Sequence, residues 1–432
     1  MPRKMKDSGI EWIGQIPEDW KVARMERGLE EIVRRNNPIR VENILSLTKD
    51  KGVIPYEDKG NQGNKSKTDL VDYKIAYENT IVMNSMNVII GSVGLSNYRG
   101  CVSPVYYVFK AKDNNDIRFF NYICQLPAFQ SELKKYANGI LEIRLRVSSY
   151  NVLKRNIPFP SYDEQKKISD KLDIEVRYID GIKLKITQQI ETLEDYKKSV
   201  ITEAVTKGLD KNVEMKDSGI EWIGEIPKHW SKIKLRYLSS IVRGGSPRPI
   251  NEYMSNSDEG LNWIKIGDTQ KGSKYINKTK NKLKVAGLSS TTLVKKGELI
   301  LSNSMSYGEA YILNIDGCIH DGWLAFKDIK NVDKEYLYFS LLSFNTKIQF
   351  DKLSDGGVVQ NLNIDKVKTV SIFLPDKKEQ VEIANYLNTT TKSIDKSIES
   401  KQKQLEILEE YKKSLIYEYV TGKKEVGDVE TI

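Results

Sequence analysis

From Ile168 onward, apolar side chains recur every three or four positions: Leu172, Val176, Ile179, Ile182, Ile186, Ile190, Leu193, Tyr196, Val200 and Ala204. The same spacing returns after Pro375, through Ile383, Leu387, Ile394, Ile398, Leu405, Leu408, Leu415 and Tyr419, with polar gaps at Thr391 and Gln402. A single apolar stripe at this period predicts one long coiled-coil helix in each segment. The openings Asp163-Glu164-Gln165 and Lys378-Glu379-Gln380 set acidic side chains at the positive end of the helix dipole. No proline interrupts either run and only Gly181 weakens the first. Each helix then reaches about 45 residues, or about 67 Å at 1.5 Å per residue. A lone stripe has to be covered, and the simplest cover is the other helix in an intramolecular antiparallel coiled coil. A homodimer through the same faces is the alternative.

Before each helix the pattern is β-like. Thr80–Met83, Val88–Ile90 and Val105–Phe109 read as strands in the first insert, and Trp263–Ile266, Leu299–Leu301 and Trp323–Phe326 in the second. Helical stretches follow at about 116–137 and 333–349. The order of strands and then helix predicts two small α+β domains that share a fold.

The chain also repeats itself. Residues 5–20, MKDSGIEWIGQIPEDW, match residues 215–230, MKDSGIEWIGEIPKHW, at 13 of 16 positions. Pro160–Thr206 aligns without a gap on Pro375–Thr421, best at LEDYKKSVITEAVT against LEEYKKSLIYEYVT. Near-identical frames thus enclose two inserts, about 21–157 and 231–372, that share little sequence. Uniform drift after duplication would not spare the frames alone. The expected organisation is a first head over 1–160, a first long helix over 161–208, a second head over 209–375, and a second helix and tail over 376–432, arranged as a pseudo-twofold.

Composition places the chemistry. The net charge is +9, and it is not spread evenly. Residues 21–161 carry 22 Lys and Arg against 14 Asp and Glu, and residues 231–375 carry 21 against 14, whereas both helical segments are slightly acidic. Two basic domains on near-neutral helices fit a DNA ligand with two contact regions. A coiled-coil adaptor whose heads bind acidic proteins is the competing class, and salt dependence of duplex binding separates the two. Three scattered cysteines (Cys101, Cys124, Cys318) and two histidines (His229, His320) leave no room for a metal centre or a catalytic triad built on them. No apolar run approaches the ~20 residues needed to span a bilayer. The start, Met1-Pro2-Arg3-Lys4-Met5-Lys6, does not read as a secretory leader.

Candidate DNA contacts follow from residue type. In the second head, Arg243-Gly244-Gly245-Ser246-Pro247-Arg248 is a turn with two guanidinium forks suited to guanine, and Lys271, Lys274 and Lys278 belong to a lysine-rich stretch able to reach phosphates. In the first head, Asn61, Gln62, Asn64, Lys65 and Lys67 form a polar loop with the amide groups that read adenine edges. Arg99 and Arg144 are further basic candidates, and Asn303 and Ser304 further polar ones. On the helices, Tyr417 and Tyr419 are candidate partner contacts, while Tyr196 and Tyr411 are expected to pack between the helices.

The frames MKDSGIEWIG…IP..W and P…EQ..I…L….ID closely resemble those of specificity subunits of Type I restriction–modification systems, over essentially the whole chain. Gly244-Gly245-Ser246-Pro247-Arg248 resembles the GG(S/T)P loop near the start of their target recognition domains. Leu301-Ser302-Asn303-Ser304-Met305 and Gly322-Trp323 resemble later parts of the same domain, as do Val82-Met83-Asn84-Ser85-Met86, Gly91–Ser96 and Ser103–Tyr106 in the first head. The first head lacks a clear GG(S/T)P loop. The resemblance implies a prokaryotic cytoplasmic subunit without catalysis of its own, binding double-stranded DNA. Each domain would read one half of a bipartite asymmetric site. The two helices would set the gap and dock two methyltransferase subunits, and restriction subunits would join for cleavage. S-adenosylmethionine and ATP with Mg would belong to those partners. Agreeing with this, the chain has no [DNS]PP[YFW] motif and no GxxxxGK[ST] phosphate loop. An orphan specificity subunit acting as a decoy shares every one of these features.

Overall fold

The computed structural model describes residues 3–48, 51–60, 69–87, 90–138, 145–257, 259–270, 272–304, 307–353 and 362–427. The chain divides into two compact units. One holds Met1–Lys185 with Gln404–Ile432, the other Ile186–Lys403. Each unit therefore takes part of both long helices, Tyr162–Lys207 and Lys377–Val420.

The first unit is built on a four-stranded antiparallel sheet in the order Leu29–Glu31, Tyr106–Ala111, Thr80–Asn84, Val93–Ser96. Alternating residues of these strands (Leu29, Ile81, Met83, Phe109) bury one face under the helices Ile117–Gln125 and Pro127–Lys134. The expected single helix over 116–137 is broken at Leu126, because Pro127 has no N–H to continue the ladder. Insert ends meet in an antiparallel pair, Lys21–Arg24 with Asn156–Phe159. The first frame is a hairpin, Met5–Asp7 with Gln15–Pro17, and its Ile13, Ile16 and Trp20 bury against Leu415, Ile416, Tyr419 and Val420 of the second long helix.

The second unit repeats this plan. Its five-stranded sheet runs Ser240–Arg243, Trp323–Lys327, Leu299–Ser302, Ala310–Leu313, Tyr275–Ile276, and its first four strands have the order and directions of the other sheet. A second five-stranded sheet, from Met254–Ser255 to Thr292–Val294, packs around Trp263, Leu283 and Cys318. Ser231–Lys234 pairs with Ser371–Leu374 as the insert ends do in the first unit. Helices Lys334–Leu342 and Phe344–Leu353 replace the expected single helix over 333–349 and meet at Ser343, whose Oγ caps the second by accepting the Thr346 N–H. Val200, Ile201, Ala204 and Val205 of the first long helix join this core. The two heads thus share a sheet despite unlike sequences. Of the expected strands, Val88–Ile90 falls partly outside the described residues.

Antiparallel pairing of the long helices is visible inside each unit. In the first, Lys412 Nζ lies 2.8 Å from Asp180 and Lys183 Nζ lies 2.5 Å from Glu409. In the second, Lys401 Nζ donates to Gln189 Oε1 at 2.6 Å and Lys197 Nζ lies 2.7 Å from Asp395. As the number rises along one helix it falls along the other. The stripe of the sequence closes these pairs, with Ile179 and Leu415 buried in the first unit and Ile186 and Ile394 in the second.

Candidate nucleic-acid interface

In the second unit, strand Ser240–Arg243 pairs with Trp323–Lys327 and runs straight into the Gly244–Arg248 turn. The turn lies against the end of strand Gly317–Ile319. Gly244 N–H donates to Trp323 O at 2.9 Å and Gly245 N–H to Ile319 O at 3.0 Å. A Cβ on Gly244 would stand 2.1 Å from His320 O, and one on Gly245 2.2 Å from Ser290 O, both backbone atoms. Only glycine admits this approach at either place.

The approach gathers polar groups around Asp321. Its carboxylate Oδ1 accepts the Ser246 hydroxyl at 2.9 Å and sits 2.8 Å from His320 Nε2. Its backbone oxygen accepts from Arg243 Nε at 3.0 Å and from Asn303 Nδ2 at 3.2 Å. His320 Nδ1 accepts the Gly322 N–H at 2.9 Å, so the proton is on Nε2 and points at Asp321. Burial pushes the His320 pKa down; Asp321 opposes this, while Lys265, Arg243 and Arg248 add to it. The imidazole is therefore a neutral bridge inside a cationic rim. Among the described residues Arg243 spends only Nε on the protein, and Arg248, exposed, donates to nothing. Both guanidinium ends face outward on one turn, a geometry able to grip base edges or phosphates bidentately.

Of the residues singled out in the sequence, Arg243, Ser246, Asn303 and Ser304 come together here. Ser304 Oγ is at the same spot, 3.1 Å from where a Cβ on Gly322 would stand. Lys278 is exposed. Lys274 does not belong to this surface: its ammonium pairs with Glu335 and donates to Asn388 Oδ1 at 2.5 Å, so it is held internally. Arg99 is exposed in the first unit. Asn61, Gln62, Asn64, Lys65, Lys67, Arg144 and Lys271 lie outside the described residues.

In the first unit the turn that follows the equivalent edge strand, Leu29–Glu31, carries Arg34 and Arg35 and ends at Pro38. The Asn37–Pro38 and Arg248–Pro249 bonds are both cis. Arg34 Nη1 donates to Tyr77 OH at 3.1 Å and Arg35 lies 4.0 Å from Asp72. Sequence reasoning missed this pair, as it missed His320 and Asp321. The Arg-Arg-Asn-Asn-Pro run was the available signal, hidden by the lack of glycines. The tyrosines change places as well. Tyr419 is 3% exposed inside the first core, where the frame hairpin covers it, so the ring is not on a partner-facing surface. Tyr417 is half-buried and its hydroxyl donates to Trp12 O and Ile13 O at 3.2 and 3.0 Å. Tyr196 and Tyr411, expected inside, are 54% and 50% exposed. Among the described residues no cluster could hold a metal, and no helix is long and apolar enough to cross a membrane.

Two duplicated heads with a shared sheet and unlike basic edge turns, joined to a pair of long helices, define a DNA-reading scaffold. Residues 17–192 and 227–408 match the family model described as the Type I restriction modification DNA specificity domain, and the chain belongs to that family. Its members are recognition subunits, and catalysis is the work of other subunits. Two relatives from Methanocaldococcus jannaschii are each 27% identical. They are the putative type I restriction enzyme MjaX specificity subunit, over 95% of both chains, and the MjaVIII specificity subunit, over 96% of this chain and 95% of its own. The EcoBI specificity subunit of Escherichia coli is 23% identical over 67% of this chain and 60% of its own. A solved chain described under complex assembly and conformational transition of the type I R-M system superposes with a TM-score of 0.72 at 14% identity, covering 95% of this chain and 99% of that one.

Proposed function

We propose that the protein is the DNA-specificity subunit of a Type I restriction–modification complex and reads a bipartite, asymmetric site in the prokaryotic cytoplasm. Each head takes one half-site. Arg243, Ser246, Arg248, Asn303 and Ser304 contact DNA in the second head, and Arg34 and Arg35 occupy the equivalent turn in the first. Half-sites read from one face of B-DNA lie about one helical turn, or about 34–36 Å, apart, and the long helices fix that gap. Two methyltransferase subunits dock on the helices, where Tyr178, Leu184 and Ile407 are 69%, 60% and 66% exposed. Restriction subunits join for cleavage, and S-adenosylmethionine and ATP with Mg are bound by the partners.

The observation that carries this reading is the duplication itself: one sheet, used twice, presents different basic turns. Methylation sequencing of the source genome tests it. A split, non-palindromic motif carrying modified adenines is expected, with one half altered when residues 231–388 are exchanged for those of another family member. An exchange that leaves both halves unchanged refutes modular reading. A four-residue insertion near Thr187 should change the tolerated gap or abolish assembly.

A further inference from the structure

Each head is seated on its long helix through the same buried clamp and through a second contact of opposite chemistry. The clamp is a glutamine. Gln165 Oε1 accepts the Asp116 N–H at 3.0 Å while its Nε2 donates to Pro160 O at 3.1 Å. Gln380 does the same with Asp333 N–H, at 2.6 Å, and Pro375 O, at 2.9 Å. Asp116 and Asp333 cap the helices Ile117–Gln125 and Lys334–Leu342. Two residues further along those helices stand Arg118 and Glu335. Facing them, the 215-residue offset sets Asp170 and Asp173 of the first long helix in register with Asn385 and Asn388 of the second.

In the first unit Arg118 Nη1 lies 2.8 Å from Asp170 and 2.7 Å from Asp173, and Nη2 lies 2.6 Å from Asp116. Tyr122 OH donates to Asp173 at 2.5 Å. In the second unit Glu335 pairs with Lys274, which also holds Asn388 Oδ1, and Asn388 Nδ2 donates to Glu335 at 3.3 Å. The cation thus sits on the head helix and the anions on the long helix in the first unit. In the second, the anion is on the head helix, the long helix offers amides, and the cation comes from the head's own strand region.

We propose that these seats are keyed, so that each head accepts only its own long helix. The second head placed on the first helix would set Glu335 against Asp170 and Asp173 with Lys274 alone to neutralise three carboxylates. The first head placed on the second helix would lose two of Arg118's three carboxylates. Partly desolvated charges tolerate such mismatches poorly. The exchangeable module is therefore a head together with its helix through Asp173 or Asn388, rather than a head cut at Pro160 or Pro375. The inference concerns how heads attach and does not rest on what they read.

Thermal unfolding of the full-length chain tests it without DNA. R118E, which installs the residue found at 335, should lower the first unit's transition by about 5 °C or more. Adding D170N and D173N, the residues found at 385 and 388, should recover at least half of that loss. A triple variant no more stable than R118E overturns the proposal, as does an R118E chain that melts like the parent. If R118E does not fold, the mirror set decides. N385D/N388D should destabilise the second unit and further E335R should restore it, and absence of either effect overturns the keyed seat.

Discussion

Replacing Gln165 by leucine removes the clamp while keeping side-chain volume close to native. Gln165 is 1% exposed, and besides a long bond to Asn115 Oδ1 at 3.4 Å its side chain holds two buried backbone groups. Leucine would leave the Asp116 N–H and the Pro160 carbonyl unpaired, at about 1–3 kcal/mol each. The added apolar burial returns about 1 kcal/mol, for a net loss of about 1–5 kcal/mol. For a unit of this size that is a fall in Tm of about 2–20 °C. Differential scanning calorimetry gives the shift, and amide hydrogen exchange localises it. The Asp116 amide should lose protection while the sheet amides of Thr80–Asn84 keep theirs. A Q165L chain that melts within about 1 °C of the parent with a protected Asp116 amide would refute the clamp, because the two orphaned groups must then be satisfied some other way.

Other expectations follow from the same contacts. Gly244→Ala drives a Cβ into His320 O and Ile319 O; loss of binding at one half-site with the other half-site's contribution intact is expected by competition against half-site mutants. Arg243→Ala and Arg248→Ala should each reduce the log–log salt slope of duplex binding by about 1 if they touch phosphates, or relax base preference at one position if they read an edge; a titration series over salt distinguishes these, and no effect in either refutes the interface. His320 has its folded pKa held below the ordinary value of 6.5, so the unfolded chain binds the proton first as pH falls. Its contribution is present above about pH 6.5 and is lost below it. The pH dependence of Tm over pH 5–7 should flatten in His320→Gln.

The long helices were legible in the sequence because a stripe at coiled-coil spacing, a proline before it and an acidic first turn all point the same way. Repetition of the frames exposed the duplicated plan, and apolar runs rich in strand-forming residues, such as Thr80–Met83 and Leu299–Leu301, marked the strands of each head. These are local signals, set by residues close together in the chain.

What the amino-acid order left open depends on groups far apart in it. Lys274 lies in a run of lysines that looks solvated, and only the approach of Glu335 and Asn388 turns it inward. Tyr419 and Tyr411 belong to the same helix and the same composition, yet the frame hairpin covers one and leaves the other in solvent. Arg243, Ser246, Asn303 and Asp321 meet because strand Ser240–Arg243 pairs with Trp323–Lys327, a neighbour more than eighty positions away. Periodicity dictates which elements form. Which side chains face each other, and hence which charges are free to act on a ligand, is decided by strand order and helix register, and those are set by the packing of the whole unit.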